Sequence, residues 1–150
     1  MNHIVLLVED EPSDAALIVR AFGRGLVNSK VIRLSDGDQV VSYLRGDPPY
    51  DERITYPMPS VILLDIKLPR RSGFEVIEWV RGQPRPLNRM MIVMLTSSRH
   101  QKDINRAYEL GANSYLTKPD SAQRLIELAM QFRDYWFRWN EMPDFRAEAN

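Results

Sequence analysis

Several short apolar runs in this chain end in a reactive side chain. Glu9 and Asp10 follow the run at residues 4–8, Asp65 follows the one at 61–64, Thr96 follows 91–95, and Lys118 follows the less apolar 114–117. A carboxylate at the end of a buried strand is placed to act as a nucleophile. Three carboxylates brought together repel, each raising its neighbours' pKa unless a cation intervenes. An oxygen-rich, water-accessible cluster of that kind suits Mg2+, which keeps several waters and takes one or two carboxylates plus phosphate oxygens. A carboxylate nucleophile, a metal, a hydroxyl and a point positive charge are the parts needed to accept a phosphoryl group. Each residue also has an ordinary explanation. Asp65 could open a polar turn, Thr96 could end a strand, and Lys118 could be a solvated lysine. Repetition of the pattern at successive strand ends favours the chemical reading.

These residues meet only if the intervening elements bring their strand ends together. Val61, Ile62, Leu63 and Leu64 form an unbroken apolar run, bounded by Pro57, Pro59 and Ser60 on one side and by Lys67, Leu68 and Pro69 on the other. Such a run reads as a strand buried on both faces. The same logic predicts strands at residues 4–8, 31–34, 61–65, 91–95 and 114–117. Between them, Ala15, Ile18, Val19 and Phe22 mark one helical face, which Gly23 and Gly25 terminate. Val40, Val41 and Leu44 mark a second helix after the Asp36-Gly37 turn, and Phe74, Val76, Ile77 and Val80 a third after Ser72-Gly73. A fourth is predicted over 103–110, before Gly111, and a fifth from Asp120, with Gln123 placed as in a capping box. Residues 46–59, with four prolines and Gly46, predict a loop. Five alternations of strand and helix predict a parallel sheet with helices on both faces and right-handed crossovers. Ligands bind such sheets outside the carboxyl ends of the strands, at the switch point.

Bulk properties narrow the function classes. A chain of 150 residues, 44% apolar and 27% charged, suits one globular domain with a single core. A formal net charge of zero and a pI near 6.7 argue against nucleic acid as a partner. The absence of cysteine excludes disulfides, thiol catalysis and Cys-based zinc sites. The first apolar run is too short for a signal peptide or a membrane span, so a cytoplasmic location with no membrane contact is expected.

In this order and on these strand ends, Glu9-Asp10, Asp65, Thr96 and Lys118-Pro119 resemble the receiver domain of two-component response regulators, over residues 4–139. The resemblance implies an α/β, flavodoxin-like, doubly wound sheet of five parallel strands in the order 2-1-3-4-5. It also implies one receiver domain over residues 1–150, with an extended C-terminal helix and a short tail. Carried over residue by residue, it makes Asp65 the phosphoacceptor. Asp10 and Asp65 become Mg2+ ligands together with the backbone carbonyl of Lys67, and Glu9 acts nearby through water. Thr96 becomes the switch hydroxyl, Lys118 the partner of a phosphoryl oxygen, and Tyr115 the aromatic whose rotamer follows Thr96. Glu9 departs from the aspartate common at its position, and the extra methylene changes its reach. The implied donor is a sensor histidine kinase. The implied activity is that of a phosphoacceptor assisting its own phosphotransfer and dephosphorylation, rather than of a turnover enzyme.

Two other readings compete. A haloacid dehalogenase-like phosphatase would need a second aspartate two residues after Asp65, where Lys67 stands. A degenerate receiver serving only as an interaction module is disfavoured by the full set of phosphorylation residues.

After Lys118 one helix and a tail remain, so output is expected to pass through a surface of this domain. Leu125, Leu128, Ala129, Phe132, Tyr135, Trp136 and Trp139 fall on one helical stripe. A continuous helix from Ser121 to Asn140 would be about 30 Å long, more than short strands can cover. The aromatic half is therefore expected to be exposed and to pair two copies into a homodimer. Residues 135–143, the loop at 46–59 and the Tyr-Leu-Thr-Lys run ending at Lys118 resemble stand-alone regulators that partner phytochrome-type kinases. A bacteriophytochrome is thus the implied partner. His3 is expected in solvent before the first strand, and His100 carries no assigned role.

Overall fold

The computed structural model describes residues 3–25 and 29–144. Its strands are β1 (His3–Val8), β2 (Ser29–Leu34), β3 (Val61–Leu64), β4 (Ile92–Thr96) and β5 (Ser114–Thr117). They form one parallel sheet in the order β2-β1-β3-β4-β5. Val8 is in register with both Leu34 and Leu64, Leu64 with Met94, and Thr96 with Thr117, so the carboxyl ends share one rim. Every residue of β3 and β4 is buried, which is why their sequences are uninterrupted apolar runs.

The helices are α1 (Pro12–Gly25), α2 (Gly37–Arg45), α3 (Gly73–Arg81), α4 (Gln101–Leu110) and α5 (Ala122–Arg133). Strand side chains alternate between faces and therefore feed two cores. Leu6, Val8, Ile62, Leu64 and Met94 pack under α2, α3 and α4. Val5, Leu7, Val61, Leu63 and Leu95 pack under α1 and α5. Local chemistry sets the helix ends. Asp36 caps α2 by accepting from the Gln39 amide, and Gly46 closes it at φ 76°. Ser72 and Glu75 form a reciprocal capping box on α3. The α5 cap is Ser121, whose hydroxyl accepts from the Arg124 amide, so the pairing of Asp120 with Gln123 read from the sequence is one residue early. The α4 helix begins two residues earlier than its periodicity indicated.

The loop at 46–59 is held by aromatic packing. Tyr43, Tyr50 and Tyr56 lie with ring centroids 5.2–6.1 Å apart. The Tyr43 hydroxyl donates to the Pro57 carbonyl at 2.7 Å, and Arg53 donates to the carbonyls of Leu44 and Tyr56.

At the C-terminus the structure corrects the expected straight helix. Residues Asp134–Trp139 continue α5 as a π-helical stretch, whose wider turn redistributes the aromatic stripe. Phe132 and Trp136 are buried against the chain's own core, with Phe132 edge-on to Phe22 at 5.3 Å. Tyr135 and Trp139 remain exposed, at 55% and 80%. His3 is likewise not free in solvent. It opens β1 and is half-buried, with its ring stacked on Phe137 at 4.1 Å. Among the described residues no helix is long and apolar enough to cross a membrane.

This division of the stripe predicts unequal stability effects. Trp136→Ala should cost about 3–5 kcal/mol, as expected for truncating a buried aromatic. Trp139→Ala should stay within about 0.5 kcal/mol. Urea unfolding of the two variants checks this, and equal losses would contradict the packing.

Candidate functional site

The ladder between β1 and its neighbours runs one residue past the strands. The Glu9 amide donates to the Leu34 carbonyl at 3.0 Å, and the Asp65 amide to the Val8 carbonyl at 3.2 Å. Glu9 and Asp65 are thereby fixed side by side at the rim. Each has little exposed surface (1% and 7%), while Asp10 next to them is exposed. Ligand oxygens of Glu9, Asp10 and Asp65 all lie within 4.8 Å of one another.

Lys118 provides the opposing charge. Its amide donates to the Thr96 carbonyl at 2.8 Å, which anchors the residue after β5 against β4. Its Nζ then reaches Asp65 Oδ2 at 3.0 Å, Asp14 Oδ2 at 3.2 Å and the carboxylate of Glu9. The other Asp65 oxygen, Oδ1, accepts from the Ile66 amide at 2.7 Å. Both oxygens of the nucleophile candidate are therefore oriented. The cis peptides among the described residues precede Pro49 and Pro86, so the bond before Pro119 is trans.

The burial that orients these groups also perturbs their ionisation. Desolvation pushes the Glu9 carboxyl above its ordinary value. The hydrogen bond from Lys118 opposes that rise, and the Asp65 charge adds to it. For Lys118, desolvation disfavours the ammonium, but the hydrogen bond it donates to Glu9 and the charge of Asp65 outweigh it and raise the pKa. The raised pKa keeps Lys118 cationic throughout the physiological range.

The turn after Asp65 depends on two close approaches. A Cβ on Gly73 would lie 2.2 Å from the Asp65 carbonyl oxygen, and one on Gly37 would lie 2.0 Å from that of Arg71. Neither position can carry a side chain without moving backbone. Lys67 is exposed in this turn, two residues from Asp65. Thr96 ends β4 almost fully buried, at 2% exposure. Tyr115 pairs with Met94 in register, and its hydroxyl donates to the Ser98 carbonyl at 2.9 Å. Burial pushes the Tyr115 phenol up, against the lowering effect of that hydrogen bond. Tyr115 is thus tied to the segment that leaves Thr96.

Glu9, Asp10, Asp65 and Lys118 form one cluster, with Thr96 and Tyr115 on the adjacent strands. Two further residues join it that motif reading passed over. Asp14 reads as a favourable acid in the first turn of a helix, which hides its contact with Lys118. Arg33 reads as an outward residue of an edge strand, yet it donates to the carbonyls of Glu9 and Asp10 at 3.1 and 3.2 Å. The donor set of the cluster is all carboxylate oxygen, which fits a hard divalent cation.

Comparison with known proteins agrees with this geometry. The response regulator receiver domain model matches residues 5–130. The probable methanogenesis regulatory protein FilR2 of Methanothrix harundinacea is 37% identical over 140 residues, covering 93% of this chain and 87% of that protein. Response regulator Rcp1 of Synechocystis is 31% identical over 93% of this chain and 92% of its own length. The crystal structure of its Mn(2+)-bound form superposes with a TM-score of 0.82, at 30% identity over 95% of this chain and 99% of that one. The phosphorylated cyanobacterial phytochrome response regulator RcpA superposes with a TM-score of 0.87, at 30% identity over 96% of this chain and all of that one.

The ion pairs predict the pH behaviour. Lys118, raised above 10.5, contributes stability that is fully present below about pH 10.5 and is lost as pH climbs through the folded value. Glu9, raised above 4.5, favours the fold most below about pH 4.5 and less as pH rises through its folded value. Lys118→Met removes the ammonium that opposes burial and the Asp65 charge at Glu9, leaving the hydrogen bond from the Glu11 amide. The Glu9 titration, followed by carboxyl-carbon NMR, should move to higher pH, and stability should fall more steeply as pH rises above about 4.5. An unmoved Glu9 titration would show that Lys118 does not control it.

Proposed function

The chain belongs to the response regulator receiver domain family, and from that premise we propose that it takes a phosphoryl group onto Asp65 from the phosphohistidine of a phytochrome-type sensor kinase. The observation that carries the assignment is the Lys118 ammonium bonded to Asp65 Oδ2 at 3.0 Å, with Glu9 and Asp10 grouped around the same carboxylate. In the reaction an Asp65 oxygen attacks phosphorus. The bond from phosphorus to the donor imidazole nitrogen breaks, and its electron pair returns to the ring. Lys118 balances charge on the phosphoryl oxygens, and the Ile66 amide keeps the second Asp65 oxygen in place. Water attack at phosphorus later regenerates the carboxylate and releases phosphate.

Glu9, Asp10 and Asp65, with the Lys67 carbonyl, would hold Mg2+. When bound, the ion supplies Lewis-acid neutralisation of the transferring phosphoryl group. The Thr96 hydroxyl would turn towards the new phosphoryl oxygens, with Tyr115 following and altering its bond to the Ser98 carbonyl. Receiver domains are signalling proteins, and this one would assist its own phosphorylation and dephosphorylation without turning over an external substrate. The description of RcpA as a phytochrome response regulator, and the likeness to it over nearly the whole chain, support a phytochrome-type donor and with it a cytoplasmic location.

A homodimer through the C-terminal helix is the second part of the proposal. Burial of Phe132 and Trp136 leaves Met130, Tyr135 and Trp139 as its exposed apolar residues. A groove of 910 Å³ runs beside Tyr135, lined among others by Leu116, Thr117, Pro119, Leu128 and Trp136. It reaches from the residues flanking Lys118 to the aromatic surface, so a shift of β5 would be felt there.

Incubation with a small phosphodonor and Mg2+ should label Asp65 alone. Asp65→Asn, which keeps the size and loses the nucleophilic charge, should lose labelling, and an equally labelled variant would sink the assignment. In analytical ultracentrifugation at micromolar concentration the parent should sediment as a dimer and a Tyr135→Ser, Trp139→Ser variant as a monomer. A monomeric parent, or a variant that stays dimeric, would reassign this surface to the kinase or another partner.

A further inference from the structure

Arg33 lies on the edge strand β2, opposite Leu7 and one residue before the strand ends. Its side chain reaches across the rim to the turn that carries the acids. Nε donates to the Glu9 carbonyl at 3.1 Å, and Nη2 to the Asp10 carbonyl at 3.2 Å. Those two carbonyls belong to the peptide planes on either side of Asp10. Holding both planes fixes the backbone of Asp10 and with it the direction in which its carboxylate leaves the chain. A guanidinium suits the task because its donors form a rigid planar fork.

The two cations at the rim act on different atoms. Lys118 bonds carboxylate oxygens of Glu9, Asp14 and Asp65, the atoms a metal would also need. Arg33 bonds peptide oxygens and leaves the carboxylates of Glu9 and Asp10 available.

We propose that Arg33 is a positioning residue for the divalent-cation site, orienting Asp10 through the two carbonyls that flank it. The proposal rests on the reading of Glu9, Asp10 and Asp65 as that site. Its effect is opposite in sign to that of its charge. A cation beside the cluster repels a metal ion, so if charge alone mattered, Arg33→Gln would bind Mg2+ more tightly and Arg33→Lys would bind it like the parent. If orientation matters, both variants bind more weakly. Loss of a residue that orients a metal ligand typically costs 10–100-fold in affinity, and about tenfold is expected here.

The test is calorimetric titration of Mg2+ into the parent, Arg33→Gln and Arg33→Lys. It is paired with amide hydrogen exchange of Asp10 and Glu11 in the metal-free proteins, which reads the clamp without any metal. Arg33 is exposed on an edge strand, and both variants should fold with parental circular dichroism. Weaker Mg2+ binding in both, with faster exchange at Asp10 and Glu11, is the expected result. Tighter binding in Arg33→Gln, parental affinity in Arg33→Lys, or unchanged exchange would overturn the positioning role while leaving the metal site intact. Absence of Mg2+ binding by the parent would overturn the reading of the cluster, and this inference with it.

Discussion

Three carboxylates within 4.8 Å of one another are stable in a fold only if positive charge is brought against them. Here that charge is an ammonium on the residue after β5, at the far edge of the sheet from β2. Its long stem crosses the rim of β4 to reach Asp65 after β3, Glu9 after β1 and Asp14 on α1. The contact exists because β1, β3 and β4 lie between the edges in that order and because their carboxyl ends are level. The buried apolar strands are therefore the scaffold for an electrostatic arrangement, and any slip of register would separate the lysine from the acids. The close approach of Gly73 to the Asp65 carbonyl belongs to the same constraint, since it sets where the chain can turn after the acceptor.

The opposite rim is organised by apolar contacts. His3 at the start of β1 stacks on Phe137, and Phe132 and Trp136 extend the core formed by α1 and α5. The C-terminal π-helical stretch thus closes the end of the sheet remote from the acids while presenting Tyr135 and Trp139 to solvent. The groove along α5 joins the two ends. Chemistry at one rim and an aromatic surface near the other, connected along one helix, is an arrangement through which a change at Lys118 and Thr96 could be read at a distance.

The strands and the acids at their ends were legible in the sequence because each depends on local chemistry, whereas the strand order followed only from the resemblance to receiver domains. A strand buried on both faces must be an unbroken apolar run, as at residues 61–64, and a crossover helix must carry a 3.6-residue stripe, as Phe74, Val76, Ile77 and Val80 do. Asp65, Thr96 and Lys118 stood out because each follows such a run. Tertiary structure alone decided the rest. Asp14 and Lys118 are 104 residues apart, and Arg33 lies 24 residues from the Glu9 carbonyl it holds. Nothing local marks either residue, since an acid in a first helical turn and a cation on an edge strand are both ordinary. The aromatic stripe from Phe132 to Trp139 has helical spacing whether the turn is α or π. Which of its side chains are buried depends on the room left by Phe22 and His3, elements that fold against it from the other end of the chain. Periodicity specifies which face of an element is apolar. The partner that covers that face, and the polar groups that meet across it, are set by how the elements pack.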